Sequence, residues 1–449
     1  MNTLSEFPYT DVLVLGLAKS GTAATSILLE NGCRVRVNDL KTKENDPIVK
    51  ELNRLGADII VGSHPLNVLD GIEVVIKNPG IPYSNSILQE AIKRNIPILT
   101  EIELASYLAT DRMIGITGSN GKTTTTTLVT NMLLNSKQKV KVAGNIGTVA
   151  SEVARDLQED EQLVLELSSF QLLGIDTFRP KIAVLLNIFE AHLDYHLTMK
   201  NYIQAKANII KNQGASDYFI YNADDPVVSQ IAEQACAIKV PFSLKKRLTN
   251  GAWIDESTVY YKTKKIIERE EIALVGSHNM ANILAAISTA IIAGATIDGI
   301  KEVLRTFTGV KHRLQYVTEV NGRTFYNDSK ATNVLATEKA LASFTKPTIL
   351  LAGGLDRGND FFDLIPYLKA VKALVLFGET KEKIAHIGKK AGIKNIQFAK
   401  NVEDATEIAY NISDVGDVIL LSPACASWDQ YKTFEQRGDM FIQAVHRLK

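Results

Sequence analysis

Cysteine is scarce in this chain. Cys33, Cys236 and Cys425 are the only three, an odd number and far apart. They supply neither a disulfide framework nor metal-ligand spacing. They are expected to be buried, reduced thiols of a cytoplasmic protein. A charge surplus is also missing: Lys plus Arg and Asp plus Glu each number 50, so the formal net charge is zero. That excludes a surface built to follow a nucleic-acid backbone, while leaving room for a local basic pocket. No stretch approaches the roughly 18 to 20 apolar residues that span a bilayer. Residues 1–11 carry Glu6 and Asp11 and no basic segment before an apolar run, so no signal peptide is expected. Internal repeats and low-complexity segments are absent. The nearest approach is the five-threonine run at 123–127, which sits where a helix should begin.

What is present is a chain of 449 residues, 45 % of them hydrophobic. That suffices for substantial cores and suggests about three domains of roughly 150 residues. Short apolar runs at 11–16, 34–38, 59–61 and 74–76 alternate with helical stretches. Such alternation predicts a parallel sheet covered by helices. A second α/β unit starts near Asp111, with strands at 113–117, 163–167 and 182–187 and an apolar helix over 277–293 that Gly294 stops. A third starts between Gly309 and Arg313, with strands at 348–353, 373–377 and 417–421. The expected fold is α/β in three domains, 1–110, 111–308 and 309–449: Rossmann-like, P-loop ATPase-like and Rossmann-like in turn.

The segment GITGSNGKTT at 115–124 carries the clearest chemistry. Holding an anhydride phosphate takes close backbone N–H groups, hence small residues, together with a helix N-terminus and a cation. Gly118, Ser119, Asn120, Gly121, Lys122, Thr123 and Thr124 supply these directly after a buried strand. Lys122 should reach the β- and γ-phosphates, and the Thr123 hydroxyl should sit on Mg²⁺. The spacing departs from the common G-x-x-x-x-G-K-T form, because position 116 is Ile116.

Other loops are weaker signals. Gly16, Ala18 and Gly21 match G-x-G-x-x-G with an alanine in the middle, and Asp39 ends the second strand. An NAD site, a different nucleotide in a shifted pose, or a ligand-free packing turn all fit this pattern. Glu166 ends an apolar strand, where a carboxylate can hold Mg²⁺ or simply be solvated near a helix start. His192 and His196 have the spacing of a zinc pair, but no third ligand is near in sequence. A structural role suits His196 better. Lys206, read locally, is a surface lysine. In the last domain, NDSKATN at 327–333, GGLDR at 353–357 and SPACASWD at 422–429 each follow an apolar stretch. They should gather at the C-terminal edge of one sheet, where open α/β sheets bind ligands.

Taken together, these words resemble the Mur ligase family, three-domain ATP-dependent amide ligases that build the peptide of the peptidoglycan precursor. GSNGKT at 118–123 is similar to the family ATP loop, which accounts for the unusual spacing. NDSKATN and SPACAS, with FEQRG at 434–438, resemble the branch that adds D-glutamate to UDP-N-acetylmuramoyl-L-alanine. The resemblance implies that Asp39 lies near the uracil and Gly16, Ser20 and Gly21 near the diphosphate. It implies that Asn145 meets the substrate near the reacting centre and that Ser168 is a further substrate-binding residue. Thr123 and Glu166 would hold one Mg²⁺, and His192 with a carbamylated Lys206 a second. Asn282, Arg313 and Asp328 would hold ATP. Lys330, Thr332, Ser427 and Phe434 would line the D-glutamate site.

Arg357 stands where the family often has a lysine, and it can clamp a carboxylate bidentately. Lys122, His192 and Lys206 are the catalytic candidates. Closure of the third domain would join Asp328 and Lys330 to the ATP loop. A cytoplasmic monomer is expected, with neither nucleic-acid nor membrane partners. The rival readings are a Mur-type ligase for another amino acid, a nicotinamide-dependent oxidoreductase using residues 16–21, and a non-catalytic nucleotide-binding module.

Overall fold

The first sheet is built from the apolar runs of the first hundred residues: β1 (Asp11–Leu15), β2 (Arg34–Asp39), β3 (Asp58–Val61), β4 (Val74–Lys77) and β5 (Ile98–Thr100). The computed structural model describes residues 1–274 and 276–448. All five strands are parallel, in the order β3-β2-β1-β4-β5. Val12, Leu13, Val14 and Leu15 are each 0 % exposed, because helices cover both faces; this is why β1 reads as a continuous apolar run and not an alternating one. The strand order reverses between β1 and β4. The crevice at their C-terminal ends is therefore the place where such a sheet takes a ligand.

The middle sheet has nine strands: β6 (Met113–Thr117), β7 (Lys139–Gly144), β8 (Glu161–Glu166), β9 (Ile182–Leu185), β10 (Tyr218–Asn222), β11 (Ile238–Ser243), β12 (Ala252–Ile254), β13 (Thr258–Tyr261) and β14 (Lys264–Glu268). Their order is β14-β13-β12-β11-β10-β9-β6-β8-β7. β6 runs parallel to both β8 and β9, with Ile116 opposite Glu166 and Thr117 opposite Leu185. The ends of these three strands thus lie side by side. β12 to β14 form an antiparallel extension at the far edge.

These two sheets share one compact unit, Met1–Ile272 with His278–Thr306. The helix Glu101–Leu108 joins them. Its buried Glu103 accepts hydrogen bonds from the backbone N–H groups of Asp176 (2.9 Å), Thr177 (2.7 Å) and Phe178 (3.2 Å).

The second unit holds the sheet of β15 (Gln315–Val320), β16 (Arg323–Asn327), β17 (Thr348–Gly353), β18 (Val371–Phe377), β19 (Asn395–Phe398) and β20 (Val418–Leu421), in the order β15-β16-β20-β17-β18-β19. Only the β15–β16 pair is antiparallel. β16, β20 and β17 are neighbours, so the loops following them leave the same sheet edge, as expected.

The three-domain α/β expectation holds, with parallel strands at the centre of each sheet. One cysteine expectation fails: Cys425 is buried and Cys33 half-buried, but Cys236 is exposed beyond the helix Pro226–Glu233. No helix among the described residues is long and apolar enough to cross a membrane.

Candidate active site

The loop after β6 closes on the helix Lys122–Asn135. Gly121 caps it in the left-handed region, φ 83°. A Cβ there would lie 2.1 Å from Asn282 Oδ1. Only glycine fits, for both reasons. Asn282, on the helix Ser277–Ile292, therefore packs directly on this glycine-rich loop. The loop is fixed from β9 as well: Ser119 N–H donates to Asn187 O (3.0 Å) and Asn120 N–H to Asn187 Oδ1 (2.9 Å). Lys122 curls back over the loop, its Nζ donating to Gly118 O (2.8 Å) and Ser119 O (3.2 Å). Thr123 and Thr124 are buried in the first helical turn.

Glu166, at the end of β8, is 2 % exposed and so is not the solvated residue its position near a helix start allowed. Its Oε1 accepts from Asn145 Nδ2 (2.8 Å), while Oε2 is buried with no hydrogen-bond partner. An unsatisfied buried carboxylate oxygen is costly unless something else occupies it. Ser168 caps the short helix Ser169–Leu172, accepting from Gln171 N–H (3.3 Å) in a capping box.

Lys206 corrects the local reading most sharply, being only 2 % exposed on the helix Met199–Ala207. Its Nζ donates to Gly118 O at 2.8 Å, the same oxygen that accepts from Lys122. Burial, then the Lys122 ammonium, push Lys206 well below the ordinary lysine range, with Glu166 opposing. Two amines converging on one carbonyl cannot comfortably both be charged.

His192 enters the next helix, Leu193–His196, in the left-handed region, φ 56°. Burial, Lys122 and Lys206 lower its pKa, so its imidazole is neutral at pH 7 and offers a lone pair. His196 is a structural histidine. It is buried, with Nε2 2.9 Å from Ser169 Oγ, and burial pushes its pKa down to about 4. Among the described residues the zinc-like spacing of the two histidines gathers no third ligand. No cluster of three His, Cys, Asp or Glu side chains placed for a metal exists among the described residues.

In the first sheet, the turn after β1 matches its sequence pattern in geometry. A Cβ at Gly21 would lie 1.8 Å from Gly16 O, so helix and strand approach to glycine distance. Asp39 Oδ2 accepts from Leu17 N–H (2.8 Å) and its Oδ1 from Lys41 and Thr42 N–H (2.7 and 2.8 Å). Partial burial raises its pKa, but the N–H groups of Leu17, Thr42 and Lys41 outweigh that and hold the carboxyl ionised. Ser20 Oγ accepts from Asn78 Nδ2 (3.2 Å), which ties the turn after β1 to that after β4.

The C-terminal unit gathers its own residues. Asp328 is buried, accepting from Leu314 N–H (3.0 Å) and Ser422 Oγ (2.9 Å). Burial raises its pKa to about 7, with Arg313 acting against the rise. Lys330 Nζ lies 5.5 Å from the Phe434 ring centre, and Ser427 Oγ is buried with no hydrogen-bond partner. Thr332 N–H donates to Lys330 O (2.9 Å). Arg357 is exposed and stacks on the Trp428 ring, 4.7 Å from its centre.

Sequence reasoning missed Arg437. It is 0 % exposed and donates to Ser329 Oγ (3.0 Å), Ser329 O (2.9 Å) and Cys425 O (3.0 Å), binding the loops after β16 and β20 together. It missed Tyr202 too, whose hydroxyl lies 2.9 Å from Ser119 Oγ. The hint for Arg437 was a charged residue on the inward face of an amphipathic helix.

Comparison with known proteins covers nearly the whole chain. Residues 10–100 match the family model of the Mur ligase MurD-like N-terminal domain, 116–290 the Mur ligase middle domain, and 312–425 the Mur ligase glutamate ligase domain. The UDP-N-acetylmuramoylalanine–D-glutamate ligase of Oceanobacillus iheyensis is 60 % identical over 449 residues, covering 100 % of both chains. That of Bacillus subtilis is 57 % identical over 439 residues, 97 % of each. Among solved structures, the UDP-N-acetylmuramate-alanine ligase of Thermotoga maritima shares the fold at TM-score 0.58 and 20 % identity, over 98 % of this chain and 100 % of that one.

Proposed function

The chain belongs to the Mur ligase family, and from that premise we propose that it is an ATP-dependent ligase joining D-glutamate to UDP-N-acetylmuramoyl-L-alanine in peptidoglycan precursor synthesis. The observation that carries the choice of amino acid is the full-length identity to relatives bearing that name. We assign the UDP-sugar to residues 1–110, ATP to 111–308 and the amino acid to 309–449.

In this reading the γ-phosphoryl group of ATP passes to a carboxylate oxygen of the terminal L-alanine, giving ADP and an acyl phosphate. Lys122 swings from its loop carbonyls to the β- and γ-phosphates and meets the charge that spreads over the transferring group. Asn145, held by Glu166, orients the carboxylate. The deprotonated amine of D-glutamate attacks the acyl carbon, the bond to the phosphate oxygen breaks, and the amide forms as phosphate leaves. Lys330, Thr332, Ser427, Phe434 and Arg357 hold the glutamate, its carboxylates matched by the two cations. Arg313 and Asp328 are assigned to ATP, and Gly16, Ser20, Gly21 and Asp39 to the UDP portion. Ser168 acts by fixing the chain next to Glu166.

The residues present fit magnesium. That ion takes one or two protein carboxylates and fills its shell with phosphate oxygens and water. Glu166, with its partnerless buried Oε2, and Thr123 make such an incomplete oxygen set. When bound, the metal would neutralise phosphate charge. His192 and a carbamate on Lys206 suit a second ion: CO₂ adds to the neutral amine with loss of a proton, turning a repelled cation into an anion.

An isotope experiment tests the route. ¹⁸O placed in the alanine carboxylate should appear in the released phosphate. Phosphate free of ¹⁸O during amide formation would overturn the acyl-phosphate step.

A further inference from the structure

Lys77 closes β4 with its side chain only 1 % exposed. Among the described residues no carboxylate pairs with it. Its Nζ donates instead to Asn78 O (3.2 Å), Pro79 O (3.1 Å) and the Tyr195 hydroxyl (3.1 Å). Those three oxygens match the three N–H bonds of an ammonium. The rings of Tyr83 and Tyr195 add their faces, with centres at 5.2 and 5.8 Å. Burial pushes the group down to about 7, so keeping the charged form here is costly.

The cluster joins two places that matter. Tyr195 Oη also lies 3.1 Å from Pro79 O and 3.0 Å from Ile81 O. Residues 78–81 form the turn whose Asn78 packs on Gly16 and donates to Ser20. They stand at the crevice between β1 and β4 where the strand order reverses. Tyr195 lies on the short helix that His192 enters, and Phe170 packs on both residues, with ring centres 5.0 Å from His192 and 4.6 Å from Tyr195. Lys77 and Tyr195 are 118 residues apart in sequence, so this bridge is tertiary.

We propose that Lys77 is a positioning residue: through Tyr195 it fixes the separation between the turn after β1 and His192, and so between the place that anchors the UDP-sugar and the place that activates its carboxylate. What those two places bind rests on the ligase reading; the bridge itself does not. A substrate gripped at one end gains rate at the other only if the spacing is held to a fraction of an ångström.

Two variants separate this from a purely structural role. Tyr195→Phe keeps the ring and its packing and removes only the hydroxyl. Lys77→Met keeps the length and removes the ammonium. Both should lower kcat/KM for UDP-N-acetylmuramoyl-L-alanine, roughly 10-fold and 10²-fold respectively, leaving the KM for ATP within about twofold. The double variant should be no worse than Lys77→Met alone. Additive losses, equal losses toward ATP, or wild-type kinetics would each overturn the proposal. Hydrogen exchange on the unliganded protein gives a readout independent of turnover. Amides of Asn78, Gly80, Ile81, Tyr83 and residues 195–198 should exchange faster in Tyr195→Phe, and unchanged protection there counts against the bridge. An inactive wild-type protein whose Tyr195→Phe variant still shows the faster exchange would sink the ligase reading and keep the bridge.

Discussion

Lys122→Ala should retain its fold and lose turnover by on the order of 10³-fold. The side chain is half-buried and its Nζ bonds to carbonyls of its own loop, Gly118 and Ser119. Losing it should leave strand, loop and helix in place, because Asn187 bonds the loop and Asn282 packs against Gly121 separately. What disappears is the cation at the strand–helix turn that is proposed to meet charge on the transferring phosphoryl group. Lys122→Arg should rescue little: a planar guanidinium on a longer stem does not place a point charge in the same loop. Phosphate release under saturating substrates measures the loss, and a thermal unfolding midpoint checks the fold. Turnover close to wild type in Lys122→Ala would remove this loop from the chemistry.

Lys206→Met should also cost roughly 10²- to 10³-fold in turnover, and the stability change should run the other way. The folded pKa of Lys206 is depressed and the unfolded value is the ordinary one. Between the two the unfolded chain binds more protons, so the wild type should gain stability as pH rises from the depressed value toward about 10.5. With CO₂ and bicarbonate excluded, so that the residue is the free amine, it weakens the fold at pH 7. Methionine fills similar space with no charge to desolvate. The variant should therefore melt no lower than wild type at pH 7 and show a flatter dependence on pH. The proposed carbamate has its own test: ¹³C-bicarbonate should give a carbamate resonance in wild type that is missing from Lys206→Met. Full activity in the variant, or the same resonance in both proteins, would defeat the role given to Lys206.

These two lysines also mark where the sequence is legible. The phosphate loop could be read because its information is local: Gly118, Gly121, Lys122 and Thr123 are neighbours, and the conformation they need is one that few other residues tolerate. β1, β6, β9, β17 and β20 were readable because parallel strands covered on both faces are apolar without interruption, whereas β10, central in the nine-stranded sheet but with half-buried Tyr218, Tyr221 and Asn222, was missed. Glu166 was readable as the polar end of such a run. Lys206 was not, since nothing in residues 199–207 shows that Gly118, 88 positions earlier, will lie against it. Lys77 went unread for the same reason, its partner Tyr195 being in another sheet's connection. The edge strands β12 to β14 and the antiparallel β15 were also missed: half-buried, with bulges in two of their pairings, they carry no continuous apolar run. The motif words around Asp328 and Ser427 pointed to an amino-acid site by resemblance. Their geometry adds Arg437, whose four hydrogen bonds to Ser329, Gly353 and Cys425 hold those loops at one edge.

The identity of the added amino acid is tested most directly by phosphate release from the purified protein with ATP, Mg²⁺ and UDP-N-acetylmuramoyl-L-alanine, with D-glutamate, L-alanine, L-lysine or meso-diaminopimelate supplied in turn. Release with D-glutamate alone, accompanied by a product heavier by one glutamyl residue, is the predicted result. Release with any of the other three and none with D-glutamate would contradict it.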